Sequence, residues 1–369
     1  MNFDFSEEQD LLREQARRFL SDQGATARAR KLLDAGGGFD RELWQGMAEL
    51  GWLGAALPEH YGGAGLSYID LCVLAEEIGR ANAAVPFSSS VYMAAEAIYR
   101  YGSDAQKDTW LTKLISGEAI GSFAAAEGNG PLRIEQLHTQ FTAGKTNGTK
   151  TPVSDGMEAD VLVTLVNAEQ GAQLYLIDLN AEGVTRESLT MTDGSRPAAR
   201  IEFNDAAATL LPGATSAKVW HTLLDRAAIL VAFEQVGGAE ACLEMARDYA
   251  MDRYAFGRPI GSFQAIKHKL ADVYVANQLA RSNAYFGAWA LNADAPELPV
   301  AAAAARVAGC RAFDLASKEN IQTHGGMGFT WDLDCHLYYR RAKALGVGLG
   351  SARVWKNRLV GRLQMRNAA

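Results

Sequence analysis

The chain has 369 residues, 48% of them hydrophobic and 21% charged, with a formal net charge of -7; this is the composition of an ordinary globular protein with room for two or three packed units. The acidic balance argues against a nucleic-acid-binding surface, and no apolar run approaches the roughly 20 residues of a membrane span. Cys72, Cys242, Cys310 and Cys335 lie far apart and form no Cys-x-x-Cys pair, so buried free thiols are expected rather than a disulfide frame or a metal site.

The segment Met1-Asn2-Phe3-Asp4-Phe5-Ser6-Glu7-Glu8 is acidic. It has neither the basic-then-apolar pattern of a signal peptide nor the Arg-rich pattern of a transit peptide, and a cytoplasmic protein is expected. Phe5, Leu11, Leu12, Ala16, Phe19 and Leu20 then recur at helical spacing, with Ser6 followed by Glu8 and Gln9 as an N-terminal cap. Further helical patterns lie near residues 41–50, 68–80 and 105–116. Pro58-Glu59-His60-Tyr61-Gly62-Gly63-Ala64-Gly65 is a turn-rich break between the first two.

From about Ala119 to Gly213 the helical period fades. Short β-branched runs at 161–166 and 174–177 replace it, with Asn147-Gly148, Asp155-Gly156 and Asp193-Gly194 read as turns. Short strands with frequent turns predict a compact β-barrel or sandwich. After Pro212-Gly213 the helical pattern returns, with long helices expected over 217–252, 263–292, 298–324 and 336–362. The alanines from 301 to 305 suit close helix packing. The expected fold is mainly α with a central β domain: a helical N-terminal domain over 1–118, a β-barrel middle domain over 119–213 and a C-terminal four-helix domain over 214–369.

Two stretches in the last third carry the chemistry. The first is Arg253-Tyr254-Ala255-Phe256-Gly257-Arg258-Pro259-Ile260-Gly261-Ser262-Phe263-Gln264. Arg253 offers a planar fork of donors suited to a pyrophosphate, and Phe256 offers an aromatic face. Gly257 and Pro259 stop the preceding helix and turn the chain. Gln264, early in the next helix, can exchange hydrogen bonds with a ribityl hydroxyl. The second stretch is Gln322-Thr323-His324-Gly325-Gly326-Met327-Gly328-Phe329, about 60 residues later. Its glycines let backbone N–H groups approach phosphate or ribitol oxygens. It does not follow a strand, which argues against a strand–turn–helix dinucleotide site. His324 reads as a packing residue, since no other His lies at ligand spacing. Each stretch alone is compatible with a plain helical turn; their order and spacing favour a cofactor.

Both stretches resemble flavin-contacting motifs of the acyl-CoA dehydrogenase family, and the resemblance runs along essentially the whole chain. Pro58 to Gly65 looks like that family's Pro-Glu-x-Tyr-Gly-Gly-x-Gly segment. Thr149-Lys150-Thr151-Pro152-Val153-Ser154-Asp155-Gly156 resembles its middle-domain strand–turn beside the flavin, and Ile201-Glu202-Phe203-Asn204-Asp205 the segment that closes that domain. The resemblance implies FAD as cofactor, with Arg253, Phe256 and Gln264 contacting it across a subunit interface. It adds Phe263, Gln322, Gly325 and Gly326 to the cofactor-binding set, and Gly350 and Ser351 in the place of a flavin-contacting Gly-Thr. It implies α,β-dehydrogenation of an acyl-CoA thioester to the trans-2-enoyl-CoA, with flavin N5 taking the β hydride while a carboxylate removes the α proton. It also implies an electron-transfer flavoprotein as acceptor, and a homo- or heterotetramer.

The catalytic carboxylate is where the chain departs from the family. Many members carry Tyr-Glu-Gly-Thr shortly after the second motif. Counted from Arg340-Arg341-Ala342-Lys343, this chain has Gly348-Leu349-Gly350-Ser351, with Leu349 in the place of the base. A minority place the base 26 residues before the Arg of the first motif, where this chain has Ala227. Glu234 lies two helical turns after Ala227 on the same face, along a stripe with Leu223, Leu230, Gly237 and Ala241. A partly desolvated carboxylate there suits a general base. Asp225, about half a turn out of phase with Glu234, is the alternative. The competing readings are a structural carboxylate paired with an arginine for Glu234 and a solvated first-turn residue for Asp225. In the middle domain Ala125-Ala126-Glu127-Gly128-Asn129-Gly130 stands for Thr-Glu-Pro-x-x-Gly-Ser-Asp, and Pro152 for a flavin-packing Trp. These departures resemble a bacterial branch acting on bulky acyl-CoAs, including steroid side chains, sometimes as heterotetramers with one catalytically incomplete chain. Two other functions compete: a non-catalytic or half-site subunit of such a complex, and a flavin monooxygenase or nitroalkane-type relative.

Overall fold

The computed structural model describes residues 6–368 apart from 129, 131 and 215. Helix α1 (Glu7–Asp22) opens on a capping box, in which Ser6 Oγ accepts from the Gln9 amide and the Gln9 side chain from the Ser6 amide. The box satisfies two donors that a helix start leaves open. Ala16 and Leu20 are buried as the periodicity requires, while Phe5 lies outside the described residues. There follow α2 (Ala25–Asp34), α3 (Arg41–Glu49), α4 (Tyr68–Arg80), α5 (Glu96–Tyr101) and α6 (Asp104–Ile115). Capping boxes of the same kind, Ser67 with Asp70 and Ser103 with Gln106, head α4 and α6. α2, the π-helix Ser88–Ala95 and α5, into which it runs directly, lie outside the helical patterns expected from the spacing.

The middle of the chain forms β1 (Gly121–Ala124), β2 (Gln140–Thr142), β3 (Lys145–Ser154), β4 (Val161–Ala168), β5 (Gly171–Asp178), β6 (Val184–Leu189), β7 (Ala198–Ala207) and β8 (Thr209–Leu210). They make one sheet in the order β6-β7-β3-β2-β4-β5-β8, with β1 beside β4. The expected turn at Asn147-Gly148 is instead inside β3. There the pairing with β7 shifts register between Thr146 and Gly148, a β-bulge. A dipeptide suited to a turn also suits a bulge, where Gly supplies a backbone that other residues resist. Here Gly148 has φ +137°, and a Cβ on it would stand 2.7 Å from the Thr139 Cα.

The last third holds α7 (Ala217–Asp252), the short strands β9 (Tyr254–Ala255) and β10 (Arg258–Pro259), α8 (Gln264–Asn292), α9 (Leu298–His324), α10 (Gly326–Phe329), α11 (Cys335–Gly348) and α12 (Ala352–Ala368). Three long helices fall where the periodicity puts them. The fourth, expected as one helix over 336–362, is two. Gly350 turns left-handed at φ +95° and ends α11, and Trp355 Nε1 donates to the Leu349 carbonyl across the break at 3.0 Å. A glycine in that conformation is a common helix stop.

These elements form two compact units that interleave along the chain. One gathers the chain up to Asp34, Ser67–Ala84 and everything from Ala228 onward; the other gathers Ala35–Leu66 and Val85–Ala227. In the first unit α4 and α7 meet backbone to backbone. A Cβ on Gly79 would stand 2.0 Å from the Glu234 carbonyl oxygen, and one on Gly237 1.9 Å from that of Glu76. Ion pairs surround this contact. Arg17 grips Glu77 with both arms at 2.9 and 2.7 Å, Arg281 reaches Glu76 at 2.8 Å, and Arg80 pairs with Glu244. Ala301, Ala302, Ala303 and Ala305 are buried in α9, as expected of a close-packed helix. In the second unit the sheet core is Val161, Leu162, Val163, Leu165 and Val166 with Leu174 and Ile177. Phe123 stacks on Trp220 at 4.8 Å, and the buried Arg226 pairs with Glu96 at 2.6 Å. All four cysteines are buried free thiols. Among the described residues no helix is long and apolar enough to cross a membrane.

Candidate functional site

α7 ends at Asp252, and the next residues turn back on themselves. Tyr254-Ala255 pairs antiparallel with Pro259-Arg258. The two residues between, Phe256 and Gly257, have φ +53° and +78°, the left-handed pair of a type I′ hairpin turn. Glycine takes this conformation freely, but for a bulky aromatic it is an outlier costing roughly 1–3 kcal/mol. The turn leaves Phe256 96% exposed. Behind it Phe263 meets the Phe256 ring edge to face at 6.2 Å, and the Arg258 guanidinium lies 4.0 Å over Phe263. Arg253 and Gln264, at the end of α7 and the start of α8, are exposed.

The second motif is held next to the first. α9 ends at His324, whose ring packs on Tyr249 in the last turns of α7 at 4.2 Å, with Nδ1 2.8 Å from the Asn320 carbonyl. His324 is thus the packing residue expected, and it holds the end of α9 against the last turns of α7. Gly325 leaves the helix at φ +61°, with its amide donating to the Gln322 carbonyl at 3.2 Å. Gln322, Gly325 and Gly326 are exposed, and a Cβ on either glycine would meet nothing of this chain within 4 Å. Gly350 and Ser351 form the link between α11 and α12, with Ser351 exposed.

An exposed aromatic face, a guanidinium, two carboxamides and open glycine backbone are the donor set that FAD needs: a surface for a ring and forked or backbone N–H donors for pyrophosphate and ribitol. The residues fit the cofactor. All of them face outward from this chain, as the cross-subunit contact implied by the family resemblance requires.

The base candidates sit elsewhere on α7. Glu234 is 0% exposed, with both carboxylate oxygens buried. Its backbone lies under Gly79, and its charge acts on Arg306. Arg306 is fully buried in α9, donates to Gln235 Oε1 at 2.7 Å and also reaches the Leu345 carbonyl. Burial lowers the Arg306 pKa, and the fields of Cys310 and Glu234 work against that loss. Glu234 therefore supports a buried cation, a relation that the sequence could not show. Asp225 is also buried, not solvated as a first-turn residue would be, and Ala227 is fully buried. Leu349 caps α11 and offers no proton acceptor.

In the second unit Glu127 is bound by three donors: Lys150 Nζ at 2.8 Å and the amides of His138 and Thr139 at 2.6 and 3.0 Å. Burial pushes its carboxyl up, but these bonds and the Lys150 charge bring it down to about 2. Lys150 is 0% exposed, and burial lowers it to about 8 despite Glu127. The pair fixes the segment that replaces Thr-Glu-Pro against β3. Its partners are 23 residues apart in different strands and loops, so no periodicity in the sequence announces them.

The chain matches the acyl-CoA dehydrogenase N-terminal domain over residues 6–118 and the acyl-CoA dehydrogenase C-terminal domain over 217–364. It is 33% identical over 356 residues, 96% of each chain, to the acyl-CoA dehydrogenase IpdE2 of Mycobacterium tuberculosis. Among solved structures it is similar to a Tcur3481-Tcur3483 steroid ACAD variant, with TM-score 0.90, 30% identity and coverage of 98% and 99% of the two chains. It is likewise similar to the ChsE4-ChsE5 complex from Mycobacterium tuberculosis, with TM-score 0.89, 28% identity and 99% of each chain.

Proposed function

The chain belongs to the acyl-CoA dehydrogenase family, and on that premise we propose that it oxidises a bulky acyl-CoA thioester to the trans-2-enoyl-CoA, with FAD held along Arg253, Phe256, Phe263, Gln264, Gln322, Gly325 and Gly326, and Gly350-Ser351 completing the site. Phe256 is the observation that carries this reading. A strained, fully exposed aromatic side chain is maintained only where something outside the chain uses it. FAD, when bound, supplies the hydride acceptor. The chain's own part is to orient it: Arg253 neutralises pyrophosphate charge, Phe256 and Phe263 wall one side, and the open glycines allow close backbone approach. The steroid enzyme among its relatives supports the bulky acyl group. An electron-transfer flavoprotein is the acceptor and a tetramer the assembly that this reading carries with it.

The α proton needs a carboxylate, and the chain offers Glu234 and Asp225. Glu234 is fully buried and its field acts on the buried Arg306, which favours a structural role; Asp225, two residues from Ala227, is then the nearer candidate. A second reading, in which a partner chain supplies the carboxylate, is favoured by Leu349 and Ala227 in both familiar base positions and by the two-protein complexes among its relatives. Anaerobic bleaching of bound flavin by acyl-CoA tests these together. Arg253→Ala should lose a charge-assisted contact of about 1.5–3 kcal/mol and shed flavin on washing. If the base is on α7, either Asp225→Asn or Glu234→Gln should slow bleaching about 10²-fold or more. Wild-type rates in both variants would move the base to a partner chain. Absence of bleaching by any acyl-CoA, with or without a partner, would sink the dehydrogenase reading.

A further inference from the structure

From Arg253 to Gln264, and again from Gln322 to Phe329, the chain holds two arginines, Arg253 and Arg258, and no Asp, Glu or Lys. The only other group there able to carry positive charge, His324, is buried against Tyr249. A pyrophosphate diester carries two negative charges. Arg253 balances one of them, and the glycines, carboxamides and serine placed at the flavin site above are neutral.

The β9–β10 hairpin brings the two arginines to one face. Arg258 stands opposite Ala255, and the Ile260 amide donates to the Arg253 carbonyl at 2.7 Å, which carries the pairing one step beyond the two strands. Side chains alternate across a strand, and residues opposite each other in an antiparallel pair share a face. The register therefore puts Arg253, Ala255 and Arg258 on one face and Tyr254 and Pro259 on the other. Arg253 and Arg258 are diagonal neighbours, with stems roughly 7–8 Å apart and side chains long enough to converge. Arg258 is exposed, and its guanidinium lies 4.0 Å over the half-buried Phe263 ring. Stacking uses the flat face of a guanidinium and leaves the N–H donors at its edge. Among the described residues neither arginine side chain has an ion-pair or hydrogen-bond partner. Lys267, one turn into α8, is exposed as well, but among the described residues nothing fixes its side chain.

We propose that Arg258 is a second cofactor-binding residue, which closes on the FAD pyrophosphate together with Arg253 while its guanidinium stays on Phe263. The inference rests on the FAD reading above. Two forked cations balance the two phosphate charges, and their donor edges match phosphate oxygens. The stack on Phe263 holds Arg258 in place before the cofactor arrives, so less side-chain freedom is lost on binding. Phe263 also meets Phe256 edge to face and directly precedes Gln264, so the cation is anchored inside the proposed site.

The test follows release of FAD from the loaded protein, read as recovery of flavin fluorescence on dilution, at low and at high ionic strength. Arg258→Gln keeps length and polarity and loses the charge. It should release FAD at least tenfold faster than wild type at low ionic strength, and the gap should narrow at high ionic strength as the charges are screened. Arg258→Lys keeps the charge without the planar fork, and its rate should fall between the two. Lys267→Gln should release FAD at the wild-type rate. A wild-type rate in Arg258→Gln overturns the proposal. So does a gap that salt leaves unchanged, or an Arg258→Lys rate equal to that of Arg258→Gln, since either would make Arg258 a support for Phe263 alone. Equal acceleration in Lys267→Gln would reduce the effect to the general field of the surface, and a fall in assembly mass in Arg258→Gln would reassign the residue to a contact between copies; each overturns the proposal too. If the wild-type protein holds no FAD, the flavin reading fails and the role of Arg258 with it. If it holds FAD that no acyl-CoA bleaches, the reaction assignment fails and the role of Arg258 stands.

Discussion

Phe256 is held in a conformation that its own chain does not favour. Its left-handed backbone costs free energy, and its 96% exposure means that no burial compensates within the chain. Asn tolerates the left-handed region far better than an aromatic. Phe256→Asn should therefore raise the thermal midpoint of the flavin-free protein, by relieving about 1 kcal/mol of strain, while the flavin content of the purified protein falls. Differential scanning calorimetry with parallel flavin absorbance measures both. A lower midpoint would make Phe256 a packing residue after all. Glu234 is the opposite case. Its place on the helix stripe is legible from spacing, but its relation to Arg306, 72 residues further on, appears only when α7 and α9 are packed.

At the scale of elements, the contact between α4 and α7 decides what the α7 carboxylate can do. Two glycines, Gly79 and Gly237, bring the helices together until backbone meets backbone, with Glu234 at the point of contact. A methyl group at residue 79 would face the Glu234 carbonyl at 2.0 Å, and no flexible side chain is there to yield. Gly79→Ala should destabilise the protein by about 1–3 kcal/mol or more, read as a lower urea midpoint. It should also displace Glu234, whose field acts on Arg306. Undiminished stability would mean that α4 can slide without cost. The ion pairs of Arg17 with Glu77 and Arg281 with Glu76 make such sliding costly, because they hold α1 and α8 to the same helix.

At the scale of the whole molecule, α8 exposes Tyr274, Val275 and Leu279, the last at 59%. Phe256 and Phe329 are exposed as well. Apolar surface clustered on one helix is a mark of association, and the cofactor-type residues that begin α8 also face outward. Leu279→Asp is expected to reduce the assembly to smaller species and, if the proposed flavin site is shared between subunits, to release flavin in the same step. Light scattering after size exclusion, with flavin absorbance across the peak, follows both quantities. A tetramer with full flavin in this variant would place the interface elsewhere.

Periodicity and punctuation made most elements legible before any packing was known: α4, α7 and α9 begin and end where apolar spacing, caps and glycines place them, and the two glycine-bearing motifs of the last third stand out by residue type and spacing. What these signals report is local, a turn of helix or a few residues of turn. They could not reveal the π-helix, whose residues carry no period of their own, or choose between turn and bulge at Asn147-Gly148, which ask for the same backbone. Nor could they pair Lys150 with Glu127, bring His324 onto Tyr249, or set Glu234 under Gly79 and within the field of Arg306. Each of those depends on which distant surfaces meet, and only tertiary packing fixes that.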